Sequence, residues 1–430
     1  MKKKIYSQDY KKVTEGLHHA WEELRKHPRK STAGNDKETI NTYSKNYSSR
    51  ISDLSQKLLD GSFIFSPLKR AKVEKGREIL IPTIDERIVT ISILKAIFPR
   101  LEDLNSNLDF SRKSRYLDPE EEVPEFDGTP LAVAKIQTAL KDGYVWVLEA
   151  DIKSFFDHVP KDQVFNLIKQ RIKNKKVLEL IKQIIYFKVM PSKEAEAKEY
   201  NDVEGIAQGS SLSPILASVY MYNFDMYISK IKDVRLIRYV DDFVVLCKDE
   251  ATAKKMYGLV QTKLKKMGLD MYALDEVSKK GAVKTKITLA KGYGAKPFDF
   301  LGLTFNYLDV DISQKKKDEI DKKIKEIIQS GEKPNLLQKI KSLESRINGY
   351  IDHYRKAHYS RTVASLNKII NSTQAELRMY YVNKYKKITS KNPFHKLPPP
   401  KIEELFQFMG IDFTHLLIKT NTPPREKKKR

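Results

Sequence analysis

The chain has 430 residues, with 80 Lys and Arg against 56 Asp and Glu, a formal net charge of +24 and 40% hydrophobic residues. That length suits two or three domains or one large multi-lobed body. The single cysteine, Cys247, excludes an internal disulfide and a thiolate-built zinc site and fits a reducing cytoplasm, where the chain is expected to reside.

No run of eighteen apolar residues exists, so no membrane span is expected, and the basic N-terminus lacks the apolar run of a signal peptide. In chain order, residues 1–65 are polar with helically spaced apolar positions, among them Leu54, Leu58 and Leu59, interrupted by a loop at 31–36. Residues 66–82 alternate short β-like runs with Lys72, Lys75, Gly76 and Arg77, and helical spacing returns over 86–101. The acidic, proline-containing stretch 118–128 reads as a surface loop. Residues 145–151 form a strand candidate, followed by helices near 161–172 and 176–188 and an irregular polar stretch over 190–204. A helix is expected over 211–230, then two strands at 235–238 and 243–246 around an acidic turn, then a helix near 250–267. Strands at 284–289 and 298–305 precede helices over 313–388, a proline break at 398–400 and a basic tail at 425–430. This order is a mixed α+β plan with helices behind an antiparallel sheet. No heptad seam is sustained, so the oligomeric state stays open.

The basic excess suggests a polyanionic partner, nucleic acid first and an anionic membrane surface second, although lysine-rich composition also follows genomic base bias. Tyrosines interleaved with lysines, as over 379–387, fit phosphate contacts with base stacking.

Tyr239-Val240-Asp241-Asp242 pushes two adjacent carboxylates out at one sheet edge. Taken alone it also reads as an ordinary Asp-rich turn. Asp151 ends the upstream strand and can face Asp241 on a neighbouring one. Three converging carboxylates would bind two divalent ions, which take oxygen ligands, activate an attacking hydroxyl and neutralise a leaving phosphate. That is nucleotidyl transfer. In the loop over 205–214, Gly209 lets the backbone approach a ligand, Ser210 or Ser211 can cap the next helix, and Gln208 offers an amide to a nucleotide. By itself that loop also reads as a capped helix start.

Asp151-Ile152 with Phe155-Phe156-Asp157, then Gln208-Gly209 with Ser213-Pro214, then Tyr239-Val240-Asp241-Asp242, resemble in order and spacing the palm motifs of reverse transcriptases. Gly34-Asn35-Asp36 with Thr39 resembles the N-terminal motif of the group II intron and retron-related branch. Gly76-Arg77 through Ile81-Pro82-Thr83, Asp85 and Arg87 is similar to its fingers motif. Lys284-Thr285-Lys286 and Phe298-Asp299-Phe300-Leu301-Gly302 are similar to further palm elements, and Asn348-Gly349-Tyr350 with Tyr354 to the thumb.

The resemblance implies an α+β right-hand polymerase: an N-terminal helical extension over 1–65, fingers and palm over 66–310, an α-helical thumb over 311–388 and a basic tail over 389–430. It implies that Asp151 and Asp241, with Asp242 beside them, hold two Mg²⁺ ions, Mn²⁺ being the alternative. Phe156 would be the sugar gate against a ribose 2′-OH, and Gln208 and Gly209 would line the nucleotide pocket. Lys72 and Arg77 would meet the triphosphate, Lys72 at a spacing one residue shorter than usual. Lys284 would protonate the leaving pyrophosphate, with a surface lysine as the other reading. Phe300, Leu301 and Gly302 would hold the primer end, while Asp157 reads as a helix cap rather than a ligand. The implied partners are dNTPs, a DNA primer or product and an RNA template, with no membrane.

Beyond Tyr385 about 45 residues remain, with no cysteine pair and no His-rich nuclease signature, fewer than an RNase H domain needs. The chain therefore resembles stand-alone bacterial reverse transcriptases. Retron enzymes and the "unknown group" enzymes of antiphage defence are the candidates, and the segment between Asp103 and Ala132 and the helical region 311–388 favour the latter, working on a structured noncoding RNA. An intron-type RNA-binding splicing helper and an untemplated or protein-primed DNA synthesiser are the alternatives.

Overall fold

The computed structural model describes residues 2–26, 32–72, 78–101, 104, 108–110, 128–190, 201–202, 204–277, 281–331, 336–354 and 360–390. It divides into two compact units, Met1–Ala132 with Trp146–Ile287, and Val133–Val145 with Thr288–Arg430.

The first unit opens with α1 (Lys2–Glu15), α2 (Leu17–Arg25), α3 (Ile40–Ser44) and α4 (Tyr47–Asp60). Next come the antiparallel pair β1 (Lys69–Lys72) and β2 (Glu78–Ile81), then α5 (Ile84–Leu101). α5 is apolar almost all round, which requires cover on every side. α1 and α2 supply part of that cover, and Val13, Leu17, Trp21 and Leu24 join Ile88, Ile91 and Leu94 in one core. The Ser92 hydroxyl of α5 donates to the Val13 carbonyl across this contact, at 2.7 Å. Asn35, in the Gly34-Asn35-Asp36 motif, donates to Ser66 Oγ at 3.0 Å and to the Pro67 carbonyl at 2.9 Å. Arg87 donates to the carbonyls of Pro82 and Thr32. These motif residues thus fasten the N-terminal helices to the segment around β1 and β2.

α6 (Thr129–Lys141) leads to β3 (Trp146–Ala150), α7 (Phe155–His158), α8 (Lys161–Arg171) and α9 (Lys175–Ile185). The two-residue strands β4 (Lys188–Val189) and β5 (Asn201–Asp202) pair before α10 (Ser213–Ser229). β6 (Val234–Tyr239), β7 (Asp242–Cys247), α11 (Glu250–Lys266) and β8 (Lys286–Leu289) follow. The main sheet has the order β6-β7-β3-β8, with β7 antiparallel to both β6 and β3. α10 packs on β6, and α11 on β3 and β7. Phe224 of α10, Met256 and Val260 of α11, and Leu148, Phe243 and Val245 of the sheet share the core that also holds α5. The division between units passes through α6 and β8.

In the second unit β9 (Phe298–Phe300), β10 (Leu303–Asn306) and β11 (Asp309–Ile312) form a sheet of order β11-β10-β9. The Phe298 and Phe305 rings stack with centroids 4.9 Å apart. Helices α12 (Gln314–Gln329), α13 (Leu336–Tyr354) and α14 (Ser360–Ser390) complete it. Ile320, Ile324 and Ile328 make a buried stripe along α12. The buried Lys339 of α13 donates to the carbonyls of Ile328 and Ser330, satisfying groups that the end of α12 leaves open.

The structure departs from the sequence expectations at several places, the strand β11 and the short pair β4 and β5 among them. Residues 298–305 form two strands around a corner rather than one, α6 was not anticipated, and Leu59 is 54% exposed while Leu54 and Leu58 are buried. The expected loop at 118–128 and the tail beyond 390 lie outside the described residues.

Candidate active site

β6 and β7 are mostly buried strands, β7 a continuous apolar run after Asp242, and they pair Tyr239 opposite Asp242, so Val240 and Asp241 form a two-residue turn. Val240 has φ +61°, a left-handed value that a β-branched residue rarely adopts. A single positive φ at the first turn position is the sign pattern of a type II′ turn, where glycine is favoured. The turn sits above Arg238, whose guanidinium is fully buried between Asp225 and Asp109. Burial works against the Arg238 charge, but the two carboxylates outweigh it and raise its pKa.

Ala150, the last residue of β3, stands opposite Phe243, so Asp151 leaves the sheet beside the start of β7. Its peptide then turns to pair with another segment: the Tyr272 amide donates to the Asp151 carbonyl at 3.2 Å, and the Lys153 amide to the Asp270 carbonyl at 2.7 Å. Asp151, Asp241 and Asp242 therefore share one end of the sheet. They do not form the expected convergent set of three. Among the described residues no group of three or more His, Cys, Asp or Glu side chains could hold a metal ion. Instead the Lys284 ammonium pairs with the Asp151 carboxylate, opposite charges meeting at a partly exposed position. The donor chemistry still suits a hard divalent cation, since every candidate ligand at this sheet end is a carboxylate.

The 205–211 loop is fixed by two close approaches. The Ile206 amide donates to the Phe156 carbonyl at 2.8 Å, and the Leu80 amide of β2 donates to the Gln208 carbonyl at 2.8 Å. Gly205 (φ +78°) and Gly209 (φ +115°) have no room for a side chain: an added Cβ would lie 2.1 Å from the Phe156 oxygen and 2.6 Å from the Leu80 oxygen, respectively. The close neighbour that Gly209 admits is thus the β2 backbone. The expected serine cap is also absent. α10 starts at Ser213 with Leu212 at the capping position and no side-chain cap, while Ser210 Oγ accepts from the Leu212 amide. Asp157 lies within the first turn of α7, behind Ser154.

This loop brings Phe156, Gln208 and Gly209 together in the wall of a cavity of about 390 Å³, with Ile79, Lys95 and Glu23 also lining it. Lys95 pairs with Glu23 at 3.2 Å and lies 3.0 Å from His19 Nε2. Sequence reasoning missed Lys95 and Glu23. The available signal was one lysine inside the apolar run of α5.

Lys72 ends β1 opposite Glu78. The Lys72 side chain and all of Arg77 lie outside the described residues. Phe300, Leu301 and Gly302 belong to the second unit and form the corner between β9 and β10, with φ +53° at Leu301 and +77° at Gly302.

A family model described as "Reverse transcriptase (RNA-dependent DNA polymerase)" matches residues 69–305, more than half of the chain. The "Uncharacterized 91 kDa protein in cob intron" of Schizosaccharomyces pombe is 28% identical over 217 residues, 50% of this chain and 24% of that protein. The "Group II intron-encoded protein LtrA" of Lactococcus lactis subsp. cremoris is 26% identical over 223 residues, 50% of this chain and 33% of that protein. The chain thus spans a third or less of these relatives' length. Among solved structures, telomerase from Candida albicans with a fragment of telomeric RNA aligns with TM-score 0.43 and 13% identity, covering 80% of this chain and 64% of that one.

Proposed function

The chain belongs to the reverse transcriptase family, and from that premise we propose that it is an RNA-directed DNA polymerase whose chemistry is set at the end of β3 and the β6–β7 turn. The observation that carries the reading is the acidic turn Val240-Asp241 entering β7 at Asp242, next to Asp151, inside the matched region. Asp151 and Asp241, with Asp242 beside them, would hold divalent cations, Mg²⁺ first and Mn²⁺ as the alternative. Such ions, when bound, acidify an attacking 3′-hydroxyl and neutralise charge on a departing pyrophosphate.

The chain's own side chains would do the rest. The Phe156 ring would stand where a nucleotide's sugar enters the cavity and exclude a 2′-hydroxyl. Gln208 would offer its amide to the incoming nucleotide. Lys72 and Arg77 would meet the triphosphate through charge-assisted hydrogen bonds. Lys284, paired with Asp151, would bring a proton to the leaving pyrophosphate. Phe300, Leu301 and Gly302 would hold the primer strand.

We extend the proposal to a structured noncoding RNA as template and to antiphage defence in the cytoplasm, a reading supported by the segment between Asp103 and Ala132 and the helices over 311–388. A second reading, an RNA-binding splicing helper, draws on the intron-encoded relatives. Sequencing the RNA and DNA that copurify with the wild type and with an Asp241→Ala, Asp242→Ala double variant separates them. One RNA in both samples, with complementary DNA only in the wild type, supports the polymerase. Equal RNA without DNA in either sample, together with a biological phenotype that survives Asp241→Ala, supports the helper.

A further inference from the structure

Arg238, Asp109 and Asp225 form a buried charged cluster at the Val240-Asp241 turn. Arg238 is 0% exposed, Asp225 0% and Asp109 2%. Arg238 Nε donates to Asp225 Oδ1 at 2.8 Å and its Nη2 to Asp225 Oδ2 at 2.5 Å, a two-pronged fork. Its remaining nitrogen, Nη1, lies 3.2 Å from Asp109 Oδ2 and donates to the Val240 carbonyl at 2.7 Å. The Val240 amide in turn donates to Asp109 Oδ1 at 3.4 Å. Both polar backbone groups of the one left-handed residue in the turn are therefore held by the same cluster.

The cluster is itself anchored. Asp225 and Ser218 lie on α10, and the Ser218 hydroxyl donates to Asp109 Oδ2. The Arg238 amide donates to the Leu108 carbonyl and the Phe110 amide to the Arg238 carbonyl, so the segment carrying Asp109 is hydrogen-bonded to β6. The first turn of α10 reaches the cavity, where Ser213 and Pro214 line the wall. One helix thus bears the clamp for the turn at one place and a wall of the cavity at another.

We propose that Arg238, with Asp109 and Asp225, is a positioning assembly that holds Val240 in its left-handed conformation and so fixes Asp241 and Asp242 relative to the nucleotide cavity. A β-branched residue at positive φ is strained and persists only where its surroundings over-determine it. Two hydrogen bonds to charged, buried partners supply that determination here. An unclamped Val240 relaxes toward negative φ and swings the following carboxylates, and a shift of about 1 Å in reacting groups costs on the order of 100-fold in rate.

The inference rests on the polymerase reading of Asp241 and Asp242, and the test keeps the two apart. kcat and KM for dNTP are measured on an RNA template with an annealed DNA primer and Mg²⁺, for wild type, Asp241→Ala, Asp109→Asn, Arg238→Lys, and Asp109→Asn combined with Val240→Gly. Melting midpoints are recorded alongside. Asp109→Asn keeps the shape and the Arg238–Asp225 fork, so it remains folded even where Arg238→Lys does not. The expected result is a fall in kcat of about 100-fold in Asp109→Asn, with KM for dNTP within about threefold. Val240→Gly in that background regains about tenfold or more, because glycine adopts positive φ without a clamp. A purely structural role predicts no such rescue. Asp109→Asn with wild-type kcat, or a loss that Val240→Gly leaves untouched, overturns the assembly. A wild type without incorporation, or an Asp241→Ala variant that keeps it, overturns the polymerase reading instead.

Discussion

At the scale of single residues, the cavity wall separates what a side chain does from what its backbone does. Phe156 presents a ring to the cavity while its carbonyl accepts from Ile206. Phe156→Ala removes the ring and leaves the backbone bond. The expected outcome is a rise on the order of 10- to 100-fold in ribonucleotide relative to deoxynucleotide incorporation, read from competing kcat/KM values. Gly209 is the reverse case, with no side chain and an obligatory conformation. Gly209→Ala forces a Cβ against the Leu80 carbonyl at φ +115° and should destabilise the fold by about 1–3 kcal/mol, measured as a lower urea midpoint at unchanged m-value. The acidic turn between β6 and β7 and the loop before α10 were legible as turns because each is a short run with its own turn chemistry. Asp109 was not, because it meets Val240 from 131 positions away and nothing local marks it.

Among elements, pattern was legible where a run ended at clear turns. α10, α11 and the β6–β7 hairpin lie close to their expected positions, since each is an apolar-rich run bounded by turn signals. The 298–305 stretch misled because apolar residues run on through the corner, although the buried positions change phase there, from 298 and 300 to 303 and 305; Gly302, at positive φ, was the cue that the strand turns. The acidic β11 hid in the same way, its Val310 and Ile312 buried while Asp309 and Asp311 stay half-exposed. α13 carries a further consequence. The Tyr354 hydroxyl is buried with no hydrogen-bond partner among the described residues, 3.5 Å from where a Cβ on Gly302 would stand, and burial raises its pKa. Leaving a polar atom unsatisfied costs about 1–3 kcal/mol. Tyr354→Phe should therefore shift the urea midpoint upward, by about 1 kcal/mol of stability; a downward shift would show that the hydroxyl contributes a bond.

For the whole molecule, a net charge of +24 makes ionic strength the main control on nucleic-acid affinity. If six to ten phosphates are contacted, affinity for an RNA–DNA duplex should fall by about 10³–10⁵ between 50 and 200 mM salt. A slope near zero in a titration would remove backbone phosphates as the main attachment. The sequence carried this much through composition alone, but it could not reveal how tightly the N-terminal helices belong to the rest. The family match begins at Lys69, yet Leu17, Trp21 and Leu24 sit in the same core as Ile88 and Leu94, and Glu23 lines the cavity. Sequence kinship and mechanical independence therefore have different borders. A protein trimmed to residues 69–305 would keep the whole family-matched segment and lose the cover that α1 and α2 give α5, leaving an apolar helix face in water. Anyone grafting or shortening this protein should cut by its core, not by its kinship.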